Sequence, residues 1–347
     1  METKIWDLRN HLTDDVNIDT YNEIKNVFEA GGLIAIPTET VYGLGGDARN
    51  EQTIKNIYAA KGRPSDNPLI VHIHHVKQLD AFTEHITQEV RMLMNQFWPG
   101  PISFILPLKK GYLCESVSGG LSSIAVRMPS HPIGRKILEF VDIPIAAPSA
   151  NLSGRPSPTN FEHVYRDLNQ RIDGIVNGDQ SEEGLESTVL DCTQYPFRIA
   201  RPGSITKSMI ENVLPGSIST KENLNQENPI APGMKYKHYA PDTPITIVYA
   251  VHQQLSSSKD WRNVAFIFPK DKLKYIPENA TFIPLCENER DIKGANHNLY
   301  QILHDIDQNE NIKEAYIFGF ENRDDAVAIM NRMQKAANYT IVKGETL

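Results

Sequence analysis

Cysteine is scarce in this sequence. The 347 residues contain only three, Cys114, Cys192 and Cys286. They are odd in number and far apart, and their spacing matches neither a disulfide framework nor a set of metal ligands. This scarcity excludes a zinc-finger module, and we expect the three thiols to be structural or incidental in a reducing compartment.

The sequence also lacks a long hydrophobic run. No apolar stretch approaches the length that crosses a membrane, and the N-terminal segment METKIWDLRN is charged, without the apolar core of a signal peptide. These absences predict a chain with no membrane partner and a cytoplasmic location. The hydrophobic content of 40% and the charged content of 22% are typical of a globular protein.

Positive charge is in deficit, because 35 lysines and arginines face 43 aspartates and glutamates, which gives a formal net charge of −8. Such a chain repels phosphate as a whole. A contact with RNA therefore requires a local basic patch.

Standard motifs for phosphate binding and covalent chemistry are missing as well. The sequence has no G-x-x-x-x-G-K-[ST] loop and no G-x-G-x-x-G fingerprint. Ser149 is flanked by proline and alanine rather than by the glycines of a hydrolase motif, and no carboxylate pair or covalent nucleophile stands out. The sequence thus favours a reaction accelerated by positioning and charge stabilisation, as nucleotidyl transfers are.

Two similar stretches are present at 31–46 and 144–159, GGLIAIPTETVYGLGG and PIAAPSANLSGRPSPT. Each has a short apolar run, which predicts a buried strand, followed by a turn of proline, hydroxyl residues and glycine. In α/β proteins ligands bind where a strand ends in such a turn, because backbone N–H groups and hydroxyls converge there. The two stretches predict a cleft for an anionic ligand.

Basic side chains lie beside these turns. Lys61 and Arg63 share a loop stiffened by prolines, which suits an oligophosphate, although a solvated surface turn is the commoner role. Arg127 ends an apolar strand among small neighbours, which suits a carboxylate. His72 lies on another apolar strand, where packing is the commoner role of a lone histidine.

The order of patterns along the chain predicts two domains. Helices and short strands alternate up to about residue 207, which predicts an open α/β sheet of mixed direction. The stretch 215–243 is polar and punctuated by proline and glycine, as linkers are, and encloses the aromatic, basic motif PGMKYKHYAP. Beyond it, β-rich segments alternate with helical patterns, which predicts a smaller Rossmann-like domain with a largely parallel sheet.

The ordered motifs together resemble a known family. The series PTETVYGLGGDA, KGRP, PLIVH, WPGP, SSIAVRMP, APSANLSG, ESTVLD and RPG is similar to the YrdC-like domain of threonylcarbamoyl-AMP synthases. The linker motif and the segment after it are similar to the longer, two-domain form. The resemblance implies a YrdC-like catalytic domain with a concave cavity at 18–207, a linker or lid at 208–242 and a C-terminal α/β domain at 243–347.

The resemblance also implies an activity. Such an enzyme is an L-threonylcarbamoyladenylate synthase, which condenses L-threonine, bicarbonate and ATP, with Mg2+, into threonylcarbamoyl-AMP and pyrophosphate. The product would pass to the downstream transferase machinery that threonylcarbamoylates adenosine 37 of tRNA.

The site residues implied by the resemblance form three groups, and none of them is a covalent nucleophile. The L-threonine side comprises Thr38, His72, Arg127, Ala147 and Ser187. The ATP side comprises Lys61, Arg63, Asn67, Ser123, Ser149, Ser157 and Arg201. A lid of Tyr236, His238 and Tyr239 would shield labile intermediates from water.

Two other functions compete with this interpretation. A non-catalytic RNA-binding module would use the local positive charge of such a cavity, and a steep salt dependence of RNA affinity would support it. Acidic residues slightly outnumber basic ones within 20–207, which disfavours a broad RNA platform. Carbamoyl transfer of the hydrogenase-maturation kind needs zinc-finger segments, which three scattered cysteines cannot supply.

Overall fold

The computed structural model describes residues 2–9, 18–65, 67–220, 230, 239–255 and 260–347. The chain forms two compact units. The first contains residues 1–153, 157–182 and 186–236, and the second contains residues 154–156, 183–185 and 237–347.

Helices and strands alternate in the first unit, as the sequence predicts. Its helices are α1 (Ile18–Glu29), α2 (Glu51–Lys61), α3 (Gln88–Phe97), α4 (Pro132–Val141), α5 (Phe161–Leu168) and α6 (Lys207–Val213). Its strands are β1 (Lys4–Asp7), β2 (Ile34–Ile36), β3 (Gly43–Asp47), β4 (Ile70–His72), β5 (Ile102–Pro107), β6 (Ser123–Arg127), β7 (Ile145–Ala146), β8 (Gly174–Asn177), β9 (Thr188–Asp191) and β10 (Arg198–Arg201). The sequence patterns missed β1, β10 and α6.

A ten-stranded sheet joins these strands in the order β1-β8-β2-β3-β7-β4-β6-β5-β9-β10. Some neighbours are parallel, such as β4 and β6, and others antiparallel, such as β5 and β6. The predicted sheet of mixed direction is therefore confirmed.

The first predicted turn is shorter than the sequence indicated, because part of it forms strand β3 between β2 and β7. The apolar pattern missed this strand since three of its five residues are glycine. A Cβ at Gly46 would lie 2.6 Å from Cγ2 of Thr53, so a larger residue would push α2 away from β3.

The two faces of the sheet carry different side chains. Val71, Phe104 and Val126 belong to the main buried cluster, which includes residues of α2 and α3. Because side chains alternate along a strand, His72 and Arg127 point to the opposite face. We call this second face, over β4, β6, β5, β9 and β10, the site face.

The second unit contains a parallel sheet, which confirms the predicted Rossmann-like character. Its strands are β11 (Ile245–Tyr249), β12 (Val264–Phe268), β13 (Thr281–Pro284), β14 (Glu314–Phe318) and β15 (Ile341–Lys343), and its helices are α7 (Ile292–Gln308) and α8 (Val327–Ala336). The strand order is β13-β12-β14-β11-β15, with every pair parallel. Within the part of the chain that the structure describes, no helix combines the length and apolar character needed to cross a membrane.

Candidate active site

Polar side chains form one row across the site face. His72 on β4 is paired with Arg127 on β6, and Arg127 is paired with Ser103 on β5. Ser103 and Arg201, on β5 and β10, are both paired with Val189 on the strand between them. Cross-strand partners point to the same face, so the sheet register itself brings these residues together.

A small apolar cluster lies beside this row on the same face. It consists of Ile70, Ile105, Ala125 and Val189, all buried. Ile230, from the predicted linker, packs against this cluster. At least one linker residue therefore lies against the site face.

Arg127 is a buried cation with three polar neighbours. Its Nη2 lies 2.6 Å from Oε1 of Glu39, and the two side chains are only 4% and 7% exposed. Its Nη1 donates to Oγ1 of Thr40 at 2.6 Å, and its Nε donates to the carbonyl of Gly100 at 3.4 Å. Burial by itself would raise the pKa of the Glu39 carboxyl, but the charge and hydrogen bond of Arg127 outweigh it and hold that pKa below its usual value.

The Thr38 hydroxyl is used inside its own turn. It donates to the carbonyl of Val41 at 2.5 Å and accepts from the N–H of Thr40 at 3.2 Å. Ser181 donates to the Thr38 carbonyl at 2.9 Å. The N–H of Val41, at 3.3 Å, and the hydroxyl of Thr40, at 3.0 Å, also contact this oxygen, so the Thr38 hydroxyl is fully used within the turn.

His72 is held as a neutral imidazole. Burial, together with the nearby charge of Arg127, lowers the pKa of His72 to about 3. Nδ1 lies 3.2 Å from the Ile70 carbonyl. Because a carbonyl only accepts, Nδ1 carries the proton and Nε2 is left as an acceptor.

Ser187 connects the row to Arg201. The guanidinium of Arg201 donates to the Ser187 carbonyl through Nε at 3.1 Å and Nη2 at 3.0 Å, and Nη2 also donates to the Ser187 hydroxyl at 3.1 Å. The Ser187 hydroxyl lies 2.8 Å from that of Ser103. Next to Ser187, the buried Glu186 accepts a hydrogen bond from Ser157. Ser157, like Arg201, is predicted to bind ATP, so two residues of the ATP side lie beside Ser187.

Lys61 connects the basic loop to the second hydroxyl-rich turn through hydrogen bonds. It is the last residue of α2, which ends at Gly62 with a φ of 60°, in the left-handed region that favours glycine. The buried Lys61 ammonium donates to the carbonyls of Ser149 and Asn151, the latter at 2.7 Å. Burial, with a smaller contribution from Arg63, holds the pKa of Lys61 well below its usual value. The ammonium form has one proton left for a ligand, and an anionic phosphate beside Lys61 would favour that form over the neutral amine.

Asn67 is fully buried with an unsatisfied amide. Neither its Oδ1 nor its Nδ2 has a hydrogen-bond partner among the described residues, although its backbone carbonyl accepts from Tyr58 at 2.8 Å. Nearby, the half-buried Arg63 donates to the Pro68 carbonyl at 3.4 Å. A buried amide whose polar atoms have no protein partner is suited to a ligand that supplies one.

The predicted residues are not all brought together. Ser123 begins β6 and Arg127 ends it, so the two lie about 13 Å apart along the strand. Ala147 contributes a backbone N–H, which donates to the Ile70 carbonyl next to the row. The predicted lid residues Tyr236 and His238 lie outside the described residues.

Tyr239, the third predicted lid residue, belongs to the second unit and is buried there. Its ring centroid lies 5.8 Å from that of Tyr300, and the Arg332 guanidinium is 5.4 Å from its centroid.

Sequence reasoning missed four polar residues of the site: Glu39, Thr40, Ser103 and Glu186. Glu39 and Thr40 lie in the same strand-end turn as Thr38, and this shared turn was a usable signal. Ser103 is the first residue of a segment with an ordinary apolar strand pattern. Only its pairing with Arg127 in the sheet shows that it belongs to the site. In the described part of the chain, no group of three or more His, Cys, Asp or Glu side chains is placed to hold a metal ion.

Two family models match successive parts of the chain. The family model described as telomere recombination, of the Sua5, YciO and YrdC proteins, matches residues 26–203. The model for the C-terminal domain of threonylcarbamoyl-AMP synthase matches residues 205–338.

Individual relatives match over most of their length. The chain is 39% identical to the threonylcarbamoyl-AMP synthase of Bacillus subtilis over 99% of this chain and 100% of the relative. It is 37% identical to that of Pyrococcus abyssi over 90% and 92% of the two chains. The solved structure of P. abyssi Sua5 complexed with L-threonine covers 98% of this chain and 99% of its own, with a TM-score of 0.85 and 34% identity. The chain therefore belongs to the threonylcarbamoyl-AMP synthase family.

Proposed function

We propose that this chain condenses L-threonine, bicarbonate and ATP into threonylcarbamoyl-AMP and releases pyrophosphate. The observation that carries the proposal is the polar row on the site face, which has a buried guanidinium at each side of Ser103. A similar chain has been solved with L-threonine. As a member of this family the chain is an enzyme of the nucleotidyltransferase type.

The L-threonine side lies at the β4–β6 end of the row. Arg127 binds the amino-acid carboxylate, because a guanidinium matches a carboxylate in shape and charge. His72 offers the lone pair of its neutral Nε2 to a donor of the substrate. The other residues on this side are Thr38, Ala147 and Ser187. Thr38 contributes by closing its own turn with its hydroxyl.

The ATP side uses the cations around the second turn and β10. Lys61, Arg63 and Arg201 bind the phosphates, each as a charge-assisted donor. Asn67 supports this assignment, because its buried amide has no hydrogen-bond partner among the described residues and a bound nucleotide would supply one. The remaining residues on this side are Ser123, Ser149 and Ser157.

The chemistry requires no protein nucleophile. Bicarbonate supplies CO2 by losing hydroxide, and the threonine ammonium loses a proton to solvent. The amine nitrogen then bonds to the carbon of CO2 as one C–O π bond opens, and the hydroxide takes the second N–H proton as water. An oxygen of the resulting carbamate attacks the α-phosphorus of ATP, the bond to the bridging oxygen breaks, and pyrophosphate leaves. The protein contributes orientation and stabilisation of negative charge.

Magnesium fits this site as an ion held mainly by the substrate. The described residues offer no cluster of carboxylates for it, and Mg2+ commonly binds through substrate phosphates and retained waters. When bound, it neutralises charge on the departing pyrophosphate. Lys61 and Arg201 would supply the protein's own positive charge to the phosphates.

The organisation of the chain follows from the same proposal. Residues 18–207 form the catalytic domain, residues 208–242 the linker and lid, and residues 243–347 the C-terminal domain. The labile product passes to a transferase that modifies adenosine 37 of tRNA.

The experiment that tests this function is pyrophosphate release by the purified chain with ATP, Mg2+ and bicarbonate, with and without L-threonine. We expect release to require threonine and to yield an adenylate of the expected mass. Arg63→Ala should slow release, whereas Lys55→Ala, which removes an exposed cation from α2, should not. Absence of threonine-dependent release would contradict the proposal, and salt-dependent RNA binding would then favour the non-catalytic module.

A further inference from the structure

Glu39 is a buried carboxylate that the proposed chemistry does not use. Its Oε1 faces Nη2 of Arg127 at 2.6 Å, and neither atom has a hydrogen-bond partner elsewhere among the described residues. Its Oε2 accepts from the backbone N–H of His131 at 3.3 Å. Both oxygens are thus occupied, which fixes the carboxylate against the guanidinium.

The other direct contacts of Arg127 among the described residues carry no charge. Thr40 contributes a hydroxyl, Gly100 a carbonyl, and the paired His72 is neutral at physiological pH. His131, behind Glu39, is also biased towards its neutral form, because burial lowers the pKa of its imidazole. The groups around Arg127 therefore amount to one cation balanced by one anion.

We infer that Glu39 determines the specificity of the amino-acid subsite, because it is a built-in counter-ion of Arg127 that lets the subsite accept a zwitterion and reject a bare carboxylate. This inference rests on the proposed role of Arg127 as the partner of the threonine carboxylate. Glu39 acts through Arg127 and is a positioning residue.

The physical reason is charge balance in a buried site. A buried cation without a counter-charge is costly, so Glu39 keeps Arg127 in place while the subsite is empty. A ligand that carries only a carboxylate would add a second negative charge against a single guanidinium. The ammonium of an amino acid offsets that charge when the ligand enters, before the amine gives up its proton to react, so the zwitterion can bind where the bare carboxylate cannot.

The experiment measures ligand affinity by thermal shift on the full chain without ATP. The probes are L-threonine and 3-hydroxybutyrate, which is threonine without its ammonium group. In the unsubstituted chain we expect stabilisation by threonine and none by 3-hydroxybutyrate at the same concentration. Glu39→Gln should lower the melting temperature of the free protein and raise the affinity for 3-hydroxybutyrate by about tenfold or more.

Thr40→Val is the matched control, because it removes a hydrogen bond to Arg127 and leaves the charges unchanged. It should preserve the discrimination. If Glu39→Gln does not fold, Glu39→Asp replaces it: this variant keeps the charge but retracts it by one methylene, and we expect intermediate discrimination.

Two results would overturn the inference. If a folded Glu39→Gln or Glu39→Asp variant rejects 3-hydroxybutyrate as strongly as the unsubstituted chain, Glu39 is not the counter-ion that sets the specificity. Lost threonine affinity in Glu39→Gln without a gain for 3-hydroxybutyrate would instead make Glu39 a direct partner of the ammonium. The proposed function is tested separately by Arg127→Gln: if that variant still binds threonine, the assignment of Arg127 itself is wrong.

Discussion

Arg201 donates hydrogen bonds to both the backbone carbonyl and the hydroxyl of Ser187, at 3.0 and 3.1 Å. The family resemblance implies Ser187 on the threonine side and Arg201 on the ATP side, so the two proposed subsites meet at this pair. A condensation needs such a meeting point, because the reacting atoms must approach to about 3–3.5 Å before bonds form.

Arg201→Lys tests this pair. Lysine keeps the charge but cannot place planar donors on both Ser187 oxygens, so we expect kcat/KM for pyrophosphate release to fall by about 10- to 100-fold, as lost charge-assisted hydrogen bonds do. Steady-state kinetics with ATP as the varied substrate measures this. Arg198→Lys is the control on the same strand, where the partner is Asp191 at 3.2 Å, and an equal loss there would contradict the expectation.

Asn67→Leu should separate stability from function. Leucine has nearly the same shape and no unsatisfied amide, so we expect the free energy of unfolding to rise by about 1 kcal/mol while KM for ATP increases. Urea unfolding and pyrophosphate release on the same preparation measure the two effects. Lower stability with an unchanged KM would show that the amide has a structural partner and no ligand.

His72 should make the folded state sensitive to acid. Its pKa of about 3 in the folded protein lies below the ordinary value of 6.5, so the unfolded chain takes up the proton first. Below pH 6.5 the free energy of unfolding therefore falls, by up to about 1.4 kcal/mol per pH unit, until the folded pKa is reached. Urea unfolding from pH 7 to pH 4 should show a shallower fall for His72→Asn than for the unsubstituted chain. Parallel curves would contradict the low pKa.

Tyr239→Leu tests whether this aromatic residue anchors the second unit. The ring lies near Tyr300, Arg332 and Lys335, so its loss should lower the free energy of unfolding by about 1–3 kcal/mol. Tyr339→Leu is the control, because that side chain is 65% exposed and should change stability little. Lost activity at unchanged stability would favour the lid role instead.

The sequence patterns predicted most of the helices and strands, because the buried side of each segment requires apolar residues at the spacing of a helix or a strand. The apolar runs before Pro37 and Pro148 mark strands β2 and β7, and the patterns near Glu51 and Pro132 mark helices α2 and α4. The patterns did not predict strand β3, because its glycines produce no hydrophobic pattern, although its backbone pairs with β2 on one side and β7 on the other.

The sequence by itself determined which residue types are available: the basic loop at Lys61 and Arg63, the two hydroxyl-rich turns and the order of family motifs. Only the tertiary structure decided their partners. Lys61 contacts carbonyls 88 and 90 positions away, and Arg127 meets Glu39 at a separation of 88 residues. Such pairs depend on strand order and register in the sheet, which long-range packing fixes and local periodicity does not encode.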